Sequence, residues 1–250
     1  MSGTNSSDIQ TGSVRRSSLV RRASFYVAYH LYAKRKIRRI DHTSLFGLSI
    51  TVPPTVFHPG LYFSSKALAR YVSTIPLAGK HVLDMGCGSG IIGLVAASHG
   101  ATVTAVDLNA KAVEATRHNA DRNGFTSLIT AFQSNLFESI PDGMRFDVIF
   151  WNPPFYPIAP RHEAGLAWNA GENHDVIREF SRSAMSYLVA DGFLVIILST
   201  DAGVTHVLNM FLESGYEPDG TIVIPHLFER FLIIRFRGCA PRHDGEEDAE

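Results

Sequence analysis

Two short segments constrain the fold most strongly, because each joins an apolar run to a loop with unusual backbone chemistry. Residues 81–90 read HVLDMGCGSG, and residues 147–155 read DVIFWNPPF. The apolar runs predict buried strands. The glycines of the first loop permit positive φ and lack the Cβ that would keep a ligand away from the main chain. The prolines of the second loop fix φ and restrict the residue before each of them, so that loop is rigid.

From residue 81 onward, strand-like and helix-like stretches alternate, which predicts a parallel sheet covered by helices on both faces. The predicted strands are 82–85, 102–106, 128–132, 146–151 and 193–198, and the predicted helices are 91–98, 110–123, 175–189 and 204–214. Two further apolar runs, 221–224 and 231–236, are too close for a parallel crossover and must pair antiparallel. The sequence therefore predicts a Rossmann-like, doubly wound α/β fold, with a seven-stranded, mostly parallel sheet and an antiparallel last strand.

The chain before residue 81 has less regular patterns. Residues 45–52 look extended, and Ser64 or Ser65 is placed to cap a helix running to about residue 72. Phe25, Tyr29 and Tyr32 recur at helical spacing, so residues 23–37 predict an amphipathic helix. This part of the chain is a short N-terminal helical extension ahead of the α/β domain.

Charge is distributed unevenly along the chain. The formal net charge is −1, yet residues 1–50 hold nine Lys or Arg against two Asp. Three interpretations of this basic arm stay open: it binds RNA phosphates with aromatic stacking, it is a targeting segment, or it is a helix packed over the functional site. We favour the third interpretation, because the stripe of aromatic residues must be buried somewhere.

The cysteine count and the hydropathy pattern limit the cellular compartments in which the protein is expected. Cys87 and Cys239 are the only cysteines, which argues against a disulfide framework and favours a reducing compartment. No apolar run reaches the length of a membrane span, and no secretory signal is visible. We therefore expect a cytoplasmic protein without a membrane partner. His58, His162 and His174 lack metal-ligand spacing, so no metal is expected.

The glycine loop predicts a nucleoside-containing cofactor. It follows the first strand of the alternating region, where the crevice of a doubly wound sheet opens. Asp107 ends the next strand and is placed to accept hydrogen bonds from both hydroxyls of a ribose. A nicotinamide-dinucleotide loop reads G-x-G-x-x-G, whereas this loop spaces its glycines by single residues after Asp84. Cys87 is favoured here for its small size rather than for a catalytic thiol.

The Asn-Pro-Pro-Phe loop brings two hydrogen-bond acceptors and an aromatic ring to the same crevice. The side chain of Asn152 and the carbonyl of Pro153 can be held in fixed directions and aimed at the N–H groups of a planar nitrogen. Phe155 can lie against a flat π system or near a cation. An ordinary Pro-Pro turn is the less favoured alternative.

At these residues the chain resembles class I methyltransferases that use S-adenosylmethionine (SAM), and within them the NPPY-type N-methyltransferases of the HemK/PrmC-like, methyltransferase small domain group. That group includes release-factor glutamine methyltransferases, ribosomal RNA guanine-N2 enzymes, and DNA or tRNA adenine-N6 enzymes. The resemblance covers about residues 56–200. It implies SAM as the cofactor and transfer of its methyl group to a nitrogen.

The resemblance also implies roles for individual residues. The implied catalytic residues are Asn152, Pro153 and Phe155. The implied cofactor-binding residues are Asp84, Gly86, Cys87, Gly88, Gly90, Asp107, Leu108, Asn135, Leu136 and Asn152. His58, Tyr62, Phe155 and Tyr156 are expected to bind the acceptor. Many relatives carry Asp where this chain has Asn135, but an amide oxygen can still accept from the amino group of adenine.

The acceptor stays open at this point. A protein glutamine or a small amino or guanidino compound is favoured, and a nucleic acid is possible through the basic arm. The alternatives are an RNA base N-methyltransferase and a catalytically weak, methyltransferase-like scaffold that binds a partner. The expected organisation is a disordered tail over 1–20, an extension or lid over 21–75, the catalytic domain over 76–238 and a disordered acidic tail over 239–250.

Overall fold

The computed structural model describes residues 39–154, 170–171, 173–226 and 229–238. Within these residues the strands are β1 (Asp41–Leu45), β2 (Leu48–Val52), β3 (His81–Met85), β4 (Thr102–Asp107), β5 (Ile129–Gln133), β6 (Phe146–Trp151), β7 (Leu188–Ser199), β8 (Tyr216–His226) and β9 (Glu229–Gly238). The helices are α1 (Phe63–Val72), α2 (Ile91–Ser98), α3 (Ala110–Arg122), α4 (Asp175–Ala184) and α5 (Val204–Glu213). Single turns of 3-10 helix, Met185–Tyr187 and Thr200–Ala202, flank β7.

Strands β3 to β9 form one sheet in the order β5-β4-β3-β6-β7-β9-β8. The first five strands of that order are parallel to one another. The last strand of the sequence, β9, lies antiparallel to both β7 and β8. The predicted doubly wound fold with its antiparallel last strand is confirmed. Strand order reverses between β3 and β6, so the carboxyl ends of these two strands open a crevice.

Apolar side chains cover both faces of the sheet, which is why its central strands are apolar throughout. Along β6, Val148 and Phe150 face the core formed with α1, α2 and α3. Ile149 and Trp151 alternate with them and face the core formed with α4 and α5. The loop after β6 is therefore held between two buried layers.

Residues 41–52 form a two-stranded antiparallel hairpin and not the single extended segment that the sequence suggested over 45–52. Phe46 and Gly47, with φ of 55° and 76°, form its two-residue turn. Positive φ at both central positions is the geometry that suits the twist of a hairpin. Phenylalanine rarely adopts positive φ, so residue 46 does not indicate this turn. Gly47 is the sequence signal for it.

Two helix ends differ from the prediction. The helix expected over 175–189 ends at Ala184, because Leu188 already pairs with Phe146 in the sheet. Ser64 and Ser65 do not cap α1; Tyr62 occupies the N-cap position without a side-chain hydrogen bond. The helix predicted over 23–37 and both predicted tails lie outside the described residues.

Candidate active site

The glycine loop leaves β3 with three glycines in the left-handed region. Gly86, Gly88 and Gly90 have φ of 64°, 56° and 84°. The N–H of Cys87 donates to the carbonyl of Val106 at 2.9 Å, which ties the loop to the end of β4. Residues with a side chain rarely adopt this backbone conformation, so the loop requires the glycines found at these positions.

Helix α3 supports the loop from behind. A Cβ on Gly90 would lie 3.0 Å from both Cγ2 and Oγ1 of Thr116, so any larger residue would collide with this helix. The hydroxyl of Thr116 donates to the carbonyl of Gly88 at 3.2 Å and to Sγ of Cys87 at 3.3 Å. Burial raises the pKa of the Cys87 thiol well above its usual range, with the nearby Asp107 and Asp84 adding to the effect. A protonated, buried thiol is a poor nucleophile, which agrees with the packing role favoured from the sequence.

Asp107 is oriented by the main chain on both sides. Its Oδ2 accepts from the N–H of Gly88 at 2.9 Å, and its Oδ1 accepts from the N–H of Asn109 at 2.8 Å. Burial raises the pKa of this carboxyl, and the hydrogen bonds from Asn109 and Gly88 act in the opposite direction. Each carboxylate oxygen has a second lone pair. The carboxylate can therefore accept from two ribose hydroxyls without leaving its place in the loop.

Asp84 lies at the base of the cleft, beneath the glycine loop. Its side chain is 3% exposed, and Oδ2 accepts from the N–H of Gly93 at 2.9 Å. Burial raises the pKa of Asp84 to about 7, partly opposed by the Gly93 hydrogen bond and reinforced by the charge of Asp107. A buried carboxylate with no cation beside it is costly. The position therefore suits a ligand that brings a positive charge.

The opposite wall of the cleft carries the residues expected beside adenine. Leu108 is 44% exposed, and Asn135 and Leu136 line the cleft with it. The amide nitrogen of Asn135 donates to Oε1 of Glu138 at 2.9 Å. That contact uses one of the two N–H donors of the Asn135 amide and leaves its oxygen as an acceptor, which is the group that an adenine amino group needs.

A loop from the segment between β2 and α1 covers the cleft, which encloses about 250 Å³. Thr55 and Phe57 of this loop line the cleft together with Ser89 of the glycine loop. The buried hydroxyl oxygens of Thr55 and Ser89 have no hydrogen-bond partner among the described residues. Unpaired buried hydroxyls are costly unless a ligand completes them. Their presence fits a polar cofactor at this position.

His58 lies on the same loop, but its ring does not face the cleft. It is 1% exposed; Nδ1 accepts from the N–H of Gly60 at 3.0 Å, and Nε2 donates to Oδ2 of Asp41 at 2.6 Å. Tyr62 packs against Phe57 with ring centroids 4.4 Å apart. Neither His58 nor Tyr62 belongs to the cleft lining that the described residues form. His58 thus holds the covering loop to β1, and binding of the acceptor by His58 and Tyr62 stays a prediction.

The Asn-Pro-Pro segment follows β6 into the same cleft. Nδ2 of Asn152 donates to Oγ of Ser64 and to Oγ of Ser65, each at 3.2 Å. Asn152, Pro153 and Pro154 all line the cleft beside the glycine loop. The cofactor loop and the predicted reacting loop thus meet, as their strand positions require. Phe155 and Tyr156 lie outside the described residues.

Several residues of the site escaped the sequence analysis. Gly93 is one of them: a Cβ there would lie 3.2 Å from Oδ2 of Asp84. Thr116 and Asn119 are fully buried on the apolar face of α3. Polar residues at apolar positions of an amphipathic helix were a usable signal for both. Ser64 and Ser65 gave a signal only as helix caps and none for the site, because their partner Asn152 lies far along the chain.

Among the described residues no three His, Cys, Asp or Glu side chains are grouped so that they could hold a metal ion. In the same part of the chain, none of the helices combines the length and the apolar character that crossing a membrane requires.

The fold and the cleft define the class of this protein as a SAM-dependent methyltransferase. Comparison with known families agrees: the chain belongs to the family described as methyltransferase small domain, which matches residues 47–218. SAM is therefore the cofactor that the glycine loop, Asp84 and Asp107 fit, and its sulfonium supplies the methyl group.

Individual relatives differ in how much of their length the chain covers. A putative protein N5-glutamine methyltransferase of Methanocaldococcus jannaschii is 26% identical over 75% of this chain and 94% of its own length. The ribosomal protein uL3 glutamine methyltransferase of Bordetella pertussis is 37% identical, over 48% of this chain and 44% of its own length. The ribosomal RNA small subunit methyltransferase C of Chromohalobacter salexigens is 36% identical, over 60% of this chain and 42% of its own length. The chain thus spans less than half of the last two relatives.

Solved structures support the fold. The T. thermophilus 16S rRNA N2 methyltransferase RsmC, in complex with AdoMet and guanosine, matches 78% of this chain and 50% of its own with a TM-score of 0.59 and 22% identity. Trm5 of M. jannaschii, in complex with adenosine, matches 80% of this chain and 55% of its own with a TM-score of 0.60 and 17% identity. At these identities the likeness concerns the architecture of the sheet and its helices.

Proposed function

We propose that this enzyme transfers a methyl group from SAM to the side-chain amide nitrogen of a glutamine in a protein acceptor. The observation that carries the proposal is the placement of Asn152 at the end of β6, in the cleft that the glycine loop and Asp107 enclose. Its amide nitrogen is occupied by two serine hydroxyls. The amide oxygen is the group left to meet an acceptor.

The chemistry of an amide nitrogen explains why two hydrogen-bond acceptors must face it. The lone pair of a carboxamide nitrogen is conjugated with its carbonyl, so the nitrogen must become more tetrahedral before it attacks a methyl group. Hydrogen bonds from its N–H groups to the oxygen of Asn152 and to the carbonyl of Pro153 stabilise that state. Because both acceptors are held by the fold beforehand, the effect is electrostatic preorganisation. As the nitrogen–carbon bond forms, the methyl–sulfur bond of SAM would break, S-adenosylhomocysteine would leave, and the surplus N–H proton would pass to water.

A glutamine acceptor is favoured by the relatives. The relative from Methanocaldococcus jannaschii, which this chain covers over 94% of its length, is described as a putative protein N5-glutamine methyltransferase. The relative from Bordetella pertussis is described as a ribosomal protein uL3 glutamine methyltransferase. A guanine amino group in ribosomal RNA is the second candidate. It also carries two N–H bonds on a planar nitrogen, and a relative with 36% identity is described as a ribosomal RNA methyltransferase. The basic arm within residues 15–39 gives this candidate further support.

The compartment and the domain limits belong to the same proposal. We infer a cytoplasmic enzyme, and the low cysteine count together with the buried free thiol of Cys87 supports this. The extension over residues 21–75 is proposed to close the acceptor side of the cleft. The cleft lining contributed by Thr55, Val56, Phe57 and Pro59 supports this proposal.

The test is a transfer assay with tritiated SAM against cell extract separated into protein and RNA fractions. We expect label in protein, and we expect mass spectrometry of the labelled peptide to place one added methyl group on a glutamine side chain. The Asn152→Ala variant is the control for background labelling. Label confined to RNA would replace the glutamine proposal with the guanine one, and the absence of transfer to either fraction would contradict both.

A further inference from the structure

We propose that Ser64 and Ser65 are positioning residues that fix the amide of Asn152, so that its oxygen faces the acceptor nitrogen. This inference rests on the proposed N-methylation, in which an oxygen and not an N–H must face the acceptor. An Asn amide carries two donors on nitrogen and one acceptor oxygen. With its nitrogen turned to the acceptor, Asn152 would oppose an N–H group with another N–H group.

The two hydroxyls account for both donors. Nδ2 of Asn152 donates to Oγ of Ser64 and to Oγ of Ser65, each at 3.2 Å, so each N–H bond has one partner. Both serines are only 4% exposed, and water therefore has little access to compete for these contacts. A side chain held by two buried hydrogen bonds on one end has one rotational state left for the other end.

Helix α1 fixes the hydroxyls in turn. Its first residue, Phe63, stacks on His226 with ring centroids 3.9 Å apart and packs on Phe231 at 5.1 Å. Farther along the helix, Leu68 and Val72 are completely buried. The start of α1 is thus anchored to β8 and β9, and the serine hydroxyls keep a constant position relative to the sheet that carries Asn152.

The same helix follows directly from the loop that covers the cofactor cleft. Thr55 and Phe57 line the cleft, and the N–H of Tyr62 donates to the carbonyl of His58 at 3.3 Å at the start of α1. The two serines therefore connect the loop that covers the cofactor cleft with the amide of Asn152. Loss of their hydroxyls should disturb the orientation of Asn152 while leaving the cofactor contacts of Asp107 and the glycine loop in place.

The experiment measures the Asn152 side chain itself by NMR on the full-length, ¹⁵N-labelled protein with SAM bound. The Asn152 Nδ2 signal is assigned from its loss in Asn152→Ala, and its exchange with water is compared with that of Asn119 in the same spectrum. We expect slow exchange in the native protein and exchange faster by about tenfold or more in Ser64→Ala/Ser65→Ala, since two hydrogen bonds are lost. Each single variant should lie between these values. Ser181→Ala is the matched control, because Ser181 is equally buried on α4 and its hydroxyl contacts Ser214 instead.

Activity gives the second measurement, with tritiated SAM and the protein fraction of cell extract as the probe. The double variant should lose about 10²-fold in kcat, as misaligned reacting groups do, with an unchanged Kd for SAM. Ser64→Ala/Ser65→Thr, which restores one hydroxyl, should recover part of the loss in both measurements. Rapid exchange of Asn152 in the native protein, or slow exchange that survives in the double variant, would overturn the inference. If the native enzyme labels no fraction, the proposed function fails, while the exchange rates still decide the serine contacts.

Discussion

Asn119 on α3 forms with Thr51 on β2 the same pair of hydrogen bonds that a neighbouring strand would form. Its Oδ1 accepts from the N–H of Thr51 at 2.8 Å, and its Nδ2 donates to the carbonyl of Thr51 at 2.9 Å. One turn later, Asn123 repeats the arrangement with Ser49 at 2.9 and 2.8 Å. The helix thereby satisfies the free edge of the hairpin, which would otherwise be open to pairing with another chain.

Asn119 also reaches the cofactor site, so its replacement should affect both stability and binding. Nδ2 donates to the carbonyl of Ser89 at 2.9 Å, and the residue is completely buried. Asn119→Ala leaves one buried and two part-buried backbone groups without this partner and should lower the free energy of unfolding by roughly 2–4 kcal/mol. Denaturant unfolding and SAM calorimetry measure the two effects. Asn123→Ala is the control: its partners are near solvent, and it should cost about 1 kcal/mol without changing SAM affinity. Equal effects in both variants would contradict the link to the glycine loop.

Asp107 should determine SAM affinity. Asp107→Ala removes the hydrogen bonds expected to the ribose, and a bond to a charged group is worth about 1.5–3 kcal/mol, so Kd should rise by at least about tenfold. Calorimetry gives Kd, and thermal unfolding without SAM separates this effect from any loosening of the Gly88 contact. Binding of SAM at native strength would remove Asp107 from the site. NADH, titrated into the native protein, should give no heat.

The raised pKa of Asp84 predicts that SAM binding depends on pH. Because burial raises its pKa to about 7 from an ordinary 3.8, the folded state holds this proton more tightly than the unfolded chain. The contribution of Asp84 to stability is thus complete below the unfolded pKa and is lost as the pH rises through the folded one. SAM brings positive charge and favours the carboxylate, so SAM affinity should increase as the pH rises through about 7, with release of a proton.

Calorimetry at a pH just below 7, in two buffers with different protonation enthalpies, measures that proton release. Asp84→Asn serves as the control, since it removes the titrating group while keeping a side chain of the same size. The variant should bind SAM more weakly and release no proton. Equal proton release in the native protein and the variant would assign the titration to a different group.

The sequence predicted the elements whose signals are local. Residues 146–151 were predicted as a strand with the bounds that the structure shows, because six consecutive residues fit a strand buried on both faces. The glycine loop was found from its closely spaced glycines, and Asn152 from the two prolines that follow it. Few structures other than a ligand-binding or reacting loop require these residues in this order. The end of α4 was missed for the opposite reason. Its apolar spacing continues past Ala184, and only the pairing of Leu188 with Phe146 shows where the helix stops.

Side-chain orientation was the part of the site that the sequence could not supply. The sequence did not show that the ring of His58 bonds to Asp41 and to the N–H of Gly60. A histidine beside a binding loop can turn to either side, and the choice depends on partners that the sequence does not place. The contact of Asn152 with Ser64 joins residues 88 positions apart. Such a contact becomes visible only when the sheet brings β6 beside α1.

Asn152 should control turnover rather than cofactor binding. Asn152→Ala removes the acceptor that matters most while the attacking nitrogen becomes tetrahedral, and loss of one preorganised hydrogen bond costs roughly 10²–10³ in rate. Asn152 is also expected to contact the cofactor, but Kd for SAM should change far less than the rate, because Asp107 and the glycine loop do not depend on this side chain. Single-turnover transfer from tritiated SAM measures the chemical step, and calorimetry measures the binding.

Asn152→Asp is the informative companion variant, since the serine hydroxyls can donate to a carboxylate as well as accept from an amide. It should keep more activity than Asn152→Ala. Methyl transfer by Asn152→Ala at a near-native rate would show that nitrogen activation in this cleft does not use Asn152.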